Sequence, residues 1–136
     1  TSYYDMPRQY TNSEGATIEV RVHNDPNTDE DTLEMYCHGD GGSNYVSEAY
    51  YEIDVDLTNV STVEADFQCD ELSGSQTFVA GRVAGRDFVN TQSGFSWSTY
   101  SVDVSDLSGV YTFEMYGKTR TSHEYIFRTK NLKLIA

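Results

Sequence analysis

From Ser93 to Gly117 the chain reads SGFSWSTYSVDVSDLSGVYTFEMYG, with side-chain type alternating on a two-residue period. Tyr100, Val102 and Val104 fall on one face, Thr99, Ser101 and Asp103 on the other, and Tyr111, Phe113 and Met115 resume the apolar face after an Asp-Leu-Ser-Gly turn. That pattern predicts a half-buried antiparallel hairpin. The period recurs in Ile18, Val20 and Val22, in Leu33, Met35 and Cys37, in Tyr51, Ile53, Val55 and Leu57, and in Val63, Ala65, Phe67 and Cys69. In Gln76 to Val83 the parity is open, because Phe78 and Ala80 compete with Val79 and Val83 for the core. With further pieces near Tyr3 to Tyr10, at Phe88 and Val89, and from Tyr125 to Leu134, about nine strands and no helix are expected. Turn signals every 8–12 residues or so then suggest an all-β sandwich or barrel.

A chain of 136 residues is near the usual size of one domain and hides enough surface to fold without a metal or disulfide. With no linker, repeat or low-complexity tract, one domain is expected to fill residues 1–136. No run of 18 apolar residues offers a helical membrane span. The opening TSYYDMPRQY has neither a basic nor an apolar leader region, so an export signal was either removed or never present, and Thr1 favours a complete cytoplasmic product.

Charge sharpens the picture. There are 22 acidic and 9 basic residues, a net charge of −13, and only three lysines, Lys118, Lys130 and Lys133. A surface so negative argues against nucleic acid as a partner. Self-repulsion strains the compact state, and salt screens it. Scarce lysine with abundant carboxylate matches the make-up of a halophile's protein; an ordinary acidic secreted domain is the alternative. On the first of these, the melting temperature should rise from low to molar NaCl, and a flat or falling one would count against it.

Cys37 and Cys69 both take core-facing parity. They form one disulfide if their strands are adjacent, stabilising by about 2–4 kcal/mol, or else remain two buried thiols. His38, the neighbour of Cys37, takes the opposite face, so a catalytic thiol is not expected.

YYEIDVDLTNVSTVEADFQCD, the Gly94–Gly117 hairpin and the closing YIFRTKNLKLI together resemble the jelly-roll domains of carbohydrate-binding modules. The likeness runs from Tyr50 onward, and similar domains decorate cell envelopes and tailed viruses. It implies an antiparallel jelly-roll β-sandwich. It also implies a structural calcium held in part by a closing Asp-Asn pair, where this chain has Lys130-Asn131. An ammonium is no oxygen ligand. A calcium ion, if bound, is therefore expected near Glu14 or Glu19 on the first strands.

The 11 tyrosines and single tryptophan suggest a sugar platform, with ring faces stacked on pyranose faces and polar neighbours bonding the hydroxyls. Tyr36, Tyr45, Tyr50, Phe95 and Trp97 are its candidate rings. Asp40, in the loop Gly39 to Asn44, is the candidate polar partner. The competing view is that tyrosine simply suits strands, packing its body and wetting its hydroxyl. Asp54 and Asp56, about 7 Å apart on one strand face, match an inverting pair of carboxylates. Yet they stand in a solvated acidic row with Glu52, whereas a general acid needs a cleft. No enzymatic activity is expected, and His23, His38 and His123 lack zinc-site spacing. Arg120, Arg128, Lys130 and Lys133 gather near the C-terminus, suited to another copy of the chain or another particle or envelope protein.

These features favour a non-enzymatic module on a virion surface or outside the cell, such as a decoration, turret or tail-associated protein of a virus of a halophile. The rival is a carbohydrate-binding module of a secreted glycan-active enzyme or adhesin, with surface glycan as its partner.

Overall fold

The computed structural model describes residues 8–12, 16–25, 30–39, 46–70, 78–120 and 125–136, with side chains for 32–36, 48–70, 78–118 and 125–136. Ten strands occupy them: β1 (Arg8–Asn12), β2 (Ala16–Asp25), β3 (Glu30–Gly39), β4 (Val46–Asp56), β5 (Thr62–Asp70), β6 (Phe78–Val83), β7 (Arg86–Thr91), β8 (Phe95–Asp103), β9 (Val110–Arg120) and β10 (Tyr125–Ile135). They form two five-stranded sheets, ordered β1-β4-β9-β6-β7 in front and β2-β3-β10-β5-β8 behind. Every pairing is antiparallel. The expected antiparallel jelly-roll sandwich is the observed one. No helix occurs among the described residues, so none is available to cross a membrane.

Two-residue alternation puts one set of side chains between the sheets. In β5, Val63, Ala65, Phe67 and Cys69 are buried while each residue between them is partly exposed. Phe67 occupies the centre, with Phe88, Phe127, Tyr100 and Phe113 at ring-centroid distances of 5.4, 5.6, 6.0 and 6.2 Å. Such offset and edge contacts add to the burial of the rings themselves. Gly81 on β6 lets the front sheet approach this cluster. A methyl at Gly81 would lie 2.6 Å from the Phe67 ring, whose neighbours leave it nowhere to move. Gly81→Ala should therefore cost about 1–3 kcal/mol in chemical denaturation; an unchanged midpoint would show that the ring can yield.

Local chemistry sets the turns. Between β6 and β7, Ala84 and Gly85 both have positive φ, at 51° and 74°, the arrangement a two-residue hairpin loop requires. Arg86 follows at once and forks onto both oxygens of Asp106 at 2.8 Å, while also donating to the Asp103 carbonyl at 2.9 Å. This ties the β6–β7 turn to the β8–β9 connection, and the guanidinium holds the Asp106 carboxyl down to about 2.

Two β-bulges reset the parity on the back sheet. Between Phe67–Ser98 and Cys69–Phe95, β5 advances two residues and β8 three. Between Lys130–Asp66 and Lys133–Glu64, β5 advances two and β10 three, and Asn131 takes a φ of 56° there. An extra residue turns the following side chain to the other face.

The bridge weighed for Cys37 and Cys69 is not formed. Cys69 is a free buried thiol. Cys37 pairs with Tyr125 and Cys69 with Phe127, so β10 runs between their strands. Two strand spacings put their backbones at least about 10 Å apart, beyond the roughly 7 Å a disulfide spans. Burial, helped by the Asp70 carboxylate, raises the Cys69 thiol from 9.0 to about 12. The folded thiol is thus neutral where the unfolded one begins to ionise, so its stabilising share is complete below pH 9 and is lost as pH rises toward 12. A thiol reagent at pH 8 should label Cys69 only on unfolding. Fast labelling of Cys69 itself in the native chain, located by peptide mapping, would contradict this.

Candidate functional site

Residues of outward parity on the front sheet should be small or solvated, but β4, β9 and β6 each carry one aromatic ring there, Tyr50, Tyr116 and Phe78. Tyr50 on β4 stands opposite Tyr116 on β9, and Tyr116 stands opposite Ala80 on β6. The Tyr50 and Tyr116 rings lie 4.7 Å apart and the Phe78 and Tyr116 rings 5.2 Å apart, tilted by 42° and 56°. Tyr116 is buried although it faces away from the core, because Tyr50 and Phe78, both half-buried, flank it. Ala80 is completely buried beside it, its small side chain leaving room for the ring. On β1, Tyr10 pairs with Tyr50, extending the row's register to a fourth strand.

Charged groups surround the row. The Tyr116 hydroxyl donates to Glu48 Oε1 at 3.0 Å. Burial, that bond and the charge of Glu48 push the Tyr116 hydroxyl far above its usual range. Burial and the carboxylates of Glu48 and Glu114 raise Tyr50 too. Both phenols therefore stay protonated donors at neutral pH. Arg82 lies over Tyr116, 5.9 Å from the ring centroid, and bridges Asp87 at 2.8 Å and Glu114 at 3.1 Å. A planar guanidinium forked between two carboxylates is held in orientation. The face thus carries apolar rings in line with fixed donors and acceptors beside them, the make-up of a ligand surface.

The described members of the sequence-derived platform lie in different places. Only Tyr50 belongs to this row. Tyr36 sits half-buried on the outer face of β3 in the back sheet. Trp97, 39% exposed, is on the outer face of β8, three strands away, and the Lys130 ammonium lies 4.4 Å over its ring. Phe95 shares Trp97's sequence parity, but the β8 bulge turns it inward, against the core and edge-on to Tyr100 at 6.1 Å. Tyr45, Asp40 and Glu14 lie outside the described residues, as does the side chain of Glu19 on β2. Among the described residues no cluster of three His, Cys, Asp or Glu groups could hold a metal ion. At the closing pair where the resemblance implies a calcium ligand, the Lys130 ammonium lies over Trp97 and Asn131 donates from Nδ2 to Asp66 at 2.9 Å.

Asp54 and Asp56 share the exposed outer face of β4, away from any cleft among the described residues. Glu52, also outward on β4, joins them in the front sheet. The Thr58 amide and hydroxyl hold the Asp56 carboxyl below its ordinary value, the reverse of what a general acid needs. Tyr116, Phe78 and Arg82 are not marked out by sequence pattern. Their available signal was a large ring on the outward parity of β9 and the contested parity of β6.

No protein-family model matches this sequence, and no curated protein sequence does. Solved structures do. The fold is that of the β-sandwich carbohydrate-binding modules. TmCBM61 in complex with β-1,4-galactotriose superposes with a TM-score of 0.55 at 10% identity, over 96% of this chain and 90% of that one. A family 11 carbohydrate-binding module from Clostridium thermocellum, in complex with a β-1,3-1,4-mixed-linked tetrasaccharide, gives 0.50 at 15%, over 100% and 94%. The K1 cleaved adhesin domain of Lys-gingipain from Porphyromonas gingivalis W83 gives 0.52 at 10%, over 96% and 99%. At these identities the shared property is the fold.

Proposed function

We propose that this chain is a non-catalytic glycan-binding module of an extracellular or surface-displayed protein, and that its ligand lies along the Tyr50–Tyr116–Phe78 row. The observation that carries the reading is this row itself. Three rings on three adjacent strands make a strip about 10 Å long, running across the strands. A strip of that length suits a short oligosaccharide whose apolar ring faces meet the exposed parts of Tyr50 and Phe78, held in place by the buried Tyr116, while Arg82, Glu48, Glu52 and Glu114 reach its hydroxyls. The neighbours crystallised with galactotriose and a mixed-linked tetrasaccharide support the glycan class without choosing the sugar.

A virion decoration, turret or tail protein would need a face complementary to another subunit, but no need for donors and acceptors arranged around an aromatic strip. For that reason the glycan reading is preferred.

The test is calorimetric titration of the full chain with a panel of neutral and acidic oligosaccharides, at low and at molar salt. Saturable binding of at least one sugar, with no cleavage product on prolonged incubation, is expected. Failure of every sugar, with a defined oligomer in native mass measurement, would return the molecule to the architectural reading.

A further inference from the structure

The outer face of the back sheet holds a second group of side chains that the front-sheet row does not use. Its centre is Trp97, the one tryptophan of the chain, left 39% exposed. Both back-sheet bulges adjoin it, one in β8 beside Trp97 and one in β10 at Asn131, on either side of β5. Asp66 of β5 lies between them. Its two oxygens take separate donors, Thr99 Oγ1 at 2.6 Å and Asn131 Nδ2 at 2.9 Å. Lys130, opposite Asp66 in register, lays its ammonium over the indole at 4.4 Å, while Lys133 stands further along β10 opposite Glu64.

Bulges commonly re-aim a side chain toward a ligand. Here the one in β8 turns Phe95 into the core and leaves Trp97 outward, on the parity of Thr99 and Ser101. We propose that this patch is a second saccharide site, independent of the front-sheet row, and that it takes a single sugar ring bearing a carboxylate. The indole supplies the flat apolar face. Asp66, fixed by its two donors, accepts a bond from a ring hydroxyl. Lys130, on a flexible stem, moves off the indole to pair with the sugar's carboxylate. The patch is one ring wide and mixes acceptor, donor, cation and aromatic groups, which fits one sugar better than a broad protein interface.

Because Trp97 is the only tryptophan, its fluorescence reports this face alone. The full chain would be titrated in about 0.1 M salt with a glucuronate-terminated oligosaccharide, its glucose-terminated counterpart, and acetate. The expected result is a saturable change for the glucuronate sugar, about two- to fivefold weaker binding of the neutral one, and no saturation with acetate. Higher salt should erase that preference. By calorimetry, Lys130→Gln should bind both sugars alike, and Trp97→Ala should lose this binding while the same binding persists in Tyr116→Ala. Equal affinity for both sugars in the native chain, no saturable change, or a response lost in Tyr116→Ala would overturn the proposal. So would a tryptophan change that tracks protein concentration without sugar, which would assign the patch to contact between copies.

Discussion

Replacing Phe67 by alanine is expected to be among the most damaging single changes in this protein, costing about 3–5 kcal/mol. The ring is fully buried and touches Phe88, Tyr100, Phe113 and Phe127, which reach it from four other strands. Its loss removes the transfer energy of a buried aromatic and leaves a hole that rings fixed on two sheets cannot close. Against a usual stability of about 5–15 kcal/mol, that is a large share. The melting temperature should fall on the order of 10–20 °C by calorimetry. Phe67→Leu, which keeps most of the volume, should cost clearly less. A loss under about 1.5 kcal/mol for the alanine variant would mean that the core is not organised around this ring.

The second large effect belongs to binding. Tyr116→Ala removes the middle of the aromatic row, and with it the contact that orients Tyr50, Phe78 and Arg82. A central, flanked aromatic of this kind behaves as an anchor, so affinity for the bound glycan should fall by about 2 kcal/mol or more, roughly thirtyfold. Tyr116→Phe keeps the ring and loses only the bond to Glu48, for about 0.5–1.5 kcal/mol. Val110→Ser, at an exposed position on the far end of β9, should leave affinity unchanged. An alanine variant that folds and binds like the parent chain would remove the row from the site.

The fold was legible because half-buried strands write their inner face into every second residue. Tyr51, Ile53, Val55 and Leu57 on β4, and Val63 to Cys69 on β5, are buried as their parity predicts. Parity stops informing where the backbone inserts a residue. Nothing in the order Phe-Ser-Trp announces the bulge that sends Phe95 inward while Trp97 stays outward, so sequence alone groups the two as one platform. Strand order is the other missing quantity. Alternation places Tyr50 and Tyr116 on outer faces, yet only the antiparallel pairing of β4 with β9, 60 or so residues apart, makes them neighbours. The same ignorance of neighbours left the Cys37–Cys69 bridge open, until β10 was found between their strands. The contested parity of β6 has a physical cause as well. Both its faces are covered, Val79 and Val83 by the core and Ala80 by Tyr116, so neither pattern could win.

The central claim is that a glycan lies on the outer face of the β1-β4-β9-β6-β7 sheet. Amide chemical-shift mapping of the full chain during titration with a sugar that binds by calorimetry tests it most directly. Shifts should concentrate at Tyr50, Phe78, Arg82, Glu114 and Tyr116, and should move together with one saturation curve. Shifts confined to the loops, or to the back sheet alone, would contradict it.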